Sequence, residues 1–483
     1  MKQRIHIGYA GDNRSWEELL DQIGCSWDRV NAIDQITSGD YSALIINRPL
    51  SVPESTRLKM YLENSGAVLD TTGKIFPEST VKKRIRSIDP DVSNPLFGHV
   101  GRVHVHDSIK AASGGGELEG MATYNQLSDR NIAFCGLPVE QLWSGFETTH
   151  RSFGSSQSAY TAERVARRHS LPYLQIIIAM LKKLHDRSGL PFVHKWWHPN
   201  TNKLTATFRI DTDYGEPETL GALSNIAASH DVPLTWFFHV AHHEQDLGQI
   251  VGALPLADEQ SLHCYNHTEY SDAGQYVTDI KHATEILKSH GINPKGYAAP
   301  YGHWSDSIAK ALKSSSFTYS SEFSYDYDSL PSYSADSGLL QLPSHPISIG
   351  SFRRFDADRQ NVSDYFHQVI DLKRLLHQPI HLYHHPNDGS PEQFEELLST
   401  AKRDDILWMT YENWAKWWVK RRASFLDVMF DTDRQRVRIK GADSVPYAVH
   451  ANSQYSLHES DEESLSLGEI ADRPYIPETM TTL

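Results

Sequence analysis

Short apolar runs alternate with longer stretches of helical spacing along this chain, and that rhythm restricts it to architectures built on parallel strands. Tyr41-Ser-Ala-Leu-Ile-Ile-Asn47 is such a run, and a strand covered on both faces reads as continuous apolar sequence, not as an alternation. Pro53 to Asn64 follows with helical spacing, and Gly66-Ala-Val-Leu-Asp70 returns as a strand. Upstream, Ile5-His-Ile-Gly-Tyr9 is a short strand before Ser15-Trp-Glu-Glu, which has the form of a capped helix start.

These units imply a Rossmann-like or flavodoxin-like α/β domain over residues 1–190. A helical connection is expected from about Ala159 to Arg187, stopped by Ser188-Gly189-Leu190-Pro191. No Gly-x-Gly-x-x-Gly loop is present, and Gly114-Gly115-Gly116 lies in a Ser/Gly/Glu-rich stretch without the flanking strand and helix a dinucleotide site needs. Residues 191–422 form a second series. Strands are expected at Leu204–Ile210, Pro233–Val240 and near Tyr297, Phe317 and His381, with helices at Glu218–Ser229 and Val277–Ser289. Repeated βα units with charged groups at strand ends are what an α/β barrel provides. Residues 423–483 are expected to form a small β-rich extension, with Phe425–Phe430 and Arg434–Lys440 as a hairpin, and then a solvated, partly disordered acidic tail around Glu459–Glu463.

With 61 acidic against 46 basic residues in 483, the formal charge is −15, which argues against a nucleic-acid partner. No apolar run is long enough to cross a bilayer. The start carries no apolar h-region, and Cys25, Cys135 and Cys264 suggest neither a disulfide framework nor a zinc knuckle. A cytoplasmic location is therefore expected.

The chemistry-bearing residues lie in the second series. Thr207-Phe-Arg-Ile-Asp-Thr-Asp213 ends an apolar strand on two carboxylates, and alternation along a strand places Asp211 and Asp213 on one face. His263-Cys-Tyr-Asn-His267 has the spacing that sets two imidazoles on one helical face. Two histidines and one carboxylate with open positions suit a catalytic metal and not a closed structural site. Gly296-Tyr-Ala-Ala-Pro-Tyr-Gly302 is a turn able to present backbone N–H groups, and Ile380-His-Leu-Tyr-His-His-Pro386 carries two adjacent histidines into a loop. His239, His242 and His243 read as a surface cluster at a strand end.

Taken in order, these segments resemble the NodB-homology polysaccharide deacetylases, carbohydrate esterase family four. The resemblance spans about Trp196 to Arg422 and includes Phe317 to Asp326 and Leu342-Pro-Ser-His-Pro346. It implies a distorted (β/α)7 barrel and one divalent metal ion, zinc first among the choices, held by Asp213, His263 and His267. It further implies Asp211 as base, Pro300-Tyr301 as the turn whose Tyr301 N–H holds an oxyanion, and His385, or alternatively His384, as the acid that protonates the leaving amine. The implied substrate is an N-acetylated sugar of a polysaccharide or its precursor. The same fold class also allows hydrolysis of a non-sugar amide, as in allantoinase-like relatives, or a catalytically impaired carbohydrate-binding scaffold.

The chain departs from the family pattern twice. The usual adjacent Asp-Asp is spread to Asp-Thr-Asp, and the Arg expected two positions before Pro300 is Ala298. Arg209, on the same strand face as Asp211, either supplies that missing charge or pairs with a peripheral carboxylate.

Overall fold

The computed structural model describes residues 2–37, 39–75, 80–91, 93–94, 96–112, 122–124, 131–153, 160–353, 355, 357–441, 445–452, 454–459, 462–470 and 473–474. Gly114–Gly116 lies outside the described residues. The chain divides into two compact units, one of residues 1–144, 168–201 and 420–482, the other chiefly of residues 145–167 and 202–419.

In the first unit, the strands Trp27–Arg29, Ile7–Ala10, Ala43–Ile46, Ala67–Asp70 and Asn131–Cys135 lie side by side in that order, all parallel. Ala122–Tyr124 is added antiparallel at the edge. Ala43–Ile46 and Ala67–Asp70 are buried along their whole length, as their unbroken apolar sequence demands. Helix Val52–Glu63 starts on a full capping box between Ser51 and Glu54.

Two expectations for this unit and its flanks need correction. Part of the expected helix from Ala159 is instead the strand Tyr160–Ala166, paired antiparallel with Thr148–Phe153; the helix itself is Ser170–Arg187. A strand partner close in sequence outweighs the weak helical preference of Tyr160-Thr161 and Val165. The acidic stretch is not all tail, because Glu462–Ser466 pairs antiparallel with Arg436–Lys440. The expected hairpin is present as Leu426–Asp431 against Arg436–Gly441, and Leu426–Asp431 also pairs with Lys2–Arg4.

The second unit is a mixed α/β fold around a curled sheet. Its strands run Ser332–Tyr333, Leu340–Gln341, Tyr319–Ser320, Gly296–Tyr297, Glu259–Cys264, Leu234–His239, Leu204–Asp211 and Ile380–His384, with Ile406–Trp408 also on Leu204–Asp211. All neighbours are parallel except the Ser332–Tyr333 edge. Past the ladder, the His345 N–H donates to His381 O at 2.7 Å, so the chain beyond Leu340–Gln341 reaches the strand at the opposite end of the sheet. Leu204–Asp211 is flanked by Leu234–His239 and Ile380–His384, and every residue in it is buried. Its carboxyl end therefore opens where several strands finish together, the place where such sheets bind ligands.

Candidate functional site

Asp211 is the last residue of the strand Leu204–Asp211, and Asp213 does not reach its position by strand alternation. Thr212 still pairs (its N–H donates to Phe237 O at 3.0 Å), but Asp213 turns out of the sheet with φ +40°. Non-glycine residues in that region are strained and need support. Support comes from the Gly215 N–H donating to Thr212 O at 2.8 Å and from His239 Nδ1, 2.9 Å from the Asp213 carbonyl oxygen. Burial pushes His239 down to about 4, so the ring is neutral and its Nδ1–H donates. His239 and His243 are buried and are not a surface cluster. A side chain at Gly215 would collide with Pro386, the residue after His385, so this glycine lets the two loops meet.

The two motif histidines converge by a route other than the expected helix. His263 lies in the strand Glu259–Cys264, and His267 lies in the loop beyond it. Along the neighbouring strand, Phe238 faces Leu262 but His239 faces Cys264, which leaves His263 as the extra residue of a bulge. Bulges re-aim side chains in this way. His263 Nε2 stands 3.2 Å and His267 Nε2 3.5 Å from Asp213 Oδ1. One ligand atom from each of these three residues lies within 4.8 Å of the others.

The donor chemistry of this trio fits a cation. His263 Nδ1 is 2.6 Å from Ala298 O, and a carbonyl can only accept, so the proton sits on Nδ1. Nε2 is thus the ring atom turned to the carboxylate oxygen, and either a second ring proton or a bound cation balances that approach. Burial works against charge on Asp213, yet His263, His267 and then His385 hold its carboxyl far below the usual carboxylate range.

Arg209 and Asp211 form a buried ion pair, Nη2 to Oδ2 at 2.6 Å. Arg209 Nη1 donates to Ser321 O at 2.9 Å and to its Oγ at 2.8 Å, and the guanidinium carbon lies 5.2 Å and 5.1 Å from the Phe237 and Phe323 ring centres. Asp211 Oδ1 is buried and has no hydrogen-bond partner among the described residues. Nearby, Glu322 is fully buried and accepts from Ser320 Oγ at 3.1 Å; burial raises its carboxyl to about 8 and makes it neutral at pH 7. Asp211 is thus the carboxylate left to balance Arg209.

Register separates the two late histidines. His384 stands opposite Ile210 inside the ladder and is fully buried with its ring stacked on Phe394. Burial pushes it down to about 4, and neither ring nitrogen has a hydrogen-bond partner among the described residues. His385 follows past the strand end and turns the other way, with Nε2 3.6 Å from Asp213 Oδ2 and Nδ1 2.7 Å from Asp388 Oδ2. Burial opposes its charge, but the Asp388 carboxylate, with Asp213 and Asp211 beyond, raises it to about 9. Ser348 Oγ donates to the same Asp388 oxygen at 2.9 Å.

Tyr301 has φ +59° in the turn Pro300–Gly302; its ring is exposed, 4.7 Å from the His267 ring centre, and Pro300 is buried. Tyr214, also exposed, packs edge-on against His239, His242 and His267. Sequence reasoning did not find His239's contact with Asp213, Asp388, Ser348 or Tyr214, and it took in Glu322 only as part of Phe317 to Asp326. Asp388 had a signal, an acid three positions after His385 in the same loop.

No family model matches the chain, and no curated protein matches it. Among solved structures it is similar to a Mycobacterium smegmatis protein described as a polysaccharide deacetylase, with 18% identity over 47% of this chain and 93% of that one at a TM-score of 0.39. A Pseudomonas aeruginosa PAO1 protein described in the same way has 15% identity over 46% of this chain and 93% of that one at 0.38. An allantoinase has 16% identity over 45% of this chain and 91% of that one at 0.37. Among the described residues no helix is long and apolar enough to cross a membrane.

Proposed function

We propose that this chain is a metal-dependent hydrolase that removes N-acetyl groups from an amino sugar of a polysaccharide or its precursor. The observation that carries this reading is the meeting of Asp213, His263 and His267 beside both a buried Arg209–Asp211 pair and a His385–Asp388 pair. A divalent ion held by Asp213, His263 and His267, zinc by preference for this donor set, supplies Lewis acidity toward a carbonyl and toward water.

The protein's own groups divide the remaining work. Asp211, held through Oδ2 by Arg209, keeps Oδ1 free to take a proton from the attacking water. His385, protonated at neutral pH, carries a proton on Nε2 for the leaving nitrogen, while Asp388 fixes the ring through Nδ1. The Tyr301 N–H is the donor for the oxyanion at the acetyl carbon. Water adds to that carbon, its C–N bond breaks, and acetate and the free amine leave. Arg209 takes the place of the arginine that Ala298 replaces. In this reading residues 191–422 are a NodB-type (β/α)7 barrel, residues 1–190 a Rossmann-like domain and residues 423–483 a β-rich extension of a cytoplasmic protein. The parallel strand order of the first sheet and the curled sheet of the second unit support it.

The test is acetate release from N-acetylated amino-sugar oligomers, run beside ring opening of cyclic ureides, with Asp211→Asn as control. Acetate release that Asp211→Asn abolishes is the expected result. Ureide opening alone assigns the site to a non-sugar C–N bond, and turnover of neither leaves a binding scaffold.

A further inference from the structure

The loop between the two motif histidines is shaped from outside. Helix Ala273–Ser289 presents Asp279, which is 7% exposed, beneath the turn that follows His263. Its Oδ1 accepts the Tyr265 N–H at 2.9 Å, and its Oδ2 accepts the Asn266 N–H and the Tyr270 hydroxyl, each at 2.9 Å. One turn earlier on the helix, the Tyr276 hydroxyl accepts the Tyr270 N–H at 3.0 Å. The Asn266 side-chain amide also donates to Oδ2 at 3.4 Å, and Asp279 forms no ion pair among the described residues, so backbone, amide and phenol donors are what hold its carboxylate.

We propose that Asp279 is a positioning residue for the metal site, clamping the Tyr265–Asn266 turn so that His267 Nε2 is brought beside His263 Nε2 and Asp213. The inference rests on the metal-site reading of Asp213, His263 and His267. A chain leaving a strand has many ways to run, and an i, i+4 pair off a helix has no intrinsic geometry to hold both rings on one ion. Here the two N–H groups immediately before His267 are pinned to one rigid carboxylate, and the bond to Tyr270 fixes the loop on its far side. The conformational freedom lost in ordering His267 is thereby lost on folding and not on metal binding. Groups that orient ligands from outside the coordination shell typically change metal affinity by about 10- to 100-fold.

The experiment is a zinc titration of the full chain against a chromophoric chelator, for wild type, Asp279→Asn, His267→Ala and the double variant. Asp279→Asn retains size but points an amide N–H at one of the two backbone donors. The expected result is zinc affinity weakened about 10- to 100-fold by Asp279→Asn, with little further loss when it is added to His267→Ala, because the clamp acts through His267. Unchanged affinity, or the same loss in both backgrounds, overturns the proposal; the latter marks a general effect on folding. Absence of zinc binding by folded wild type overturns the metal-site reading itself, a distinct outcome. Should Asp279→Asn not fold, Tyr270→Phe removes one donor from the same carboxylate and is expected to weaken binding about threefold, again only with His267 present.

Discussion

Arg209 Nη2 stands 2.6 Å from Asp211 Oδ2, both side chains shut away from solvent and two positions apart on one strand. Removing one member of a buried pair strands the other charge, which costs about 3–5 kcal/mol. Arg209→Ala is therefore expected to lose stability on that scale in urea denaturation and to lose turnover with it. Arg209→Lys keeps the charge but not the planar fork that reaches Asp211 and Ser321 together, and should fall between. An Arg209→Ala protein as stable and as active as wild type would remove Arg209 from the account.

The adjacent histidines should separate cleanly. His385→Ala is expected to lower kcat by about 10²- to 10⁴-fold. His384→Ala, which empties a buried ring stacked on Phe394, is expected to cost about 2 kcal/mol or more and to leave kcat near wild type. Asp388→Asn withdraws the carboxylate that raises His385, so the alkaline limb of the pH–rate profile should move to lower pH. The opposite pattern between His384 and His385 would reassign the acid.

Glu322 gives a stability signature independent of turnover. Its folded carboxyl is raised by burial from 4.5 to about 8. A group raised on folding binds more protons in the native state, so its favourable contribution is fully present below 4.5 and is lost as pH rises through 8. Denaturation midpoints of wild type should therefore fall across that window, and Glu322→Gln should flatten the fall. Parallel curves for the two proteins would contradict the buried neutral acid.

Much of the strand and helix pattern was legible, because unbroken apolar runs such as Ala43–Ile46 and Leu204–Ile210 suit strands covered on both faces. The trio Asp213, His263 and His267 was legible as residue types but not as geometry. His263 and His267 share a spacing that fits a helix, whereas a bulge at His263 and a turn over Asp279 bring the rings together. Neither a bulge nor a remote clamp leaves a periodic trace. Likewise, nothing local marks Glu322 as neutral, since its state depends on burial contributed by distant segments. The preference for His385 over His384 was present in the sequence reading, but the geometry that parts the two rings, His384 opposite Ile210 inside the ladder, is defined only by strand pairing.

The most direct measurement is the metal content of the purified protein by elemental analysis after repletion with divalent ions, wild type beside Asp213→Ala. About one ion per chain is expected in wild type, the capacity of a single Asp-His-His site, and its loss in the variant. A folded wild-type protein without stoichiometric metal, or an Asp213→Ala protein that retains it, would contradict the central claim.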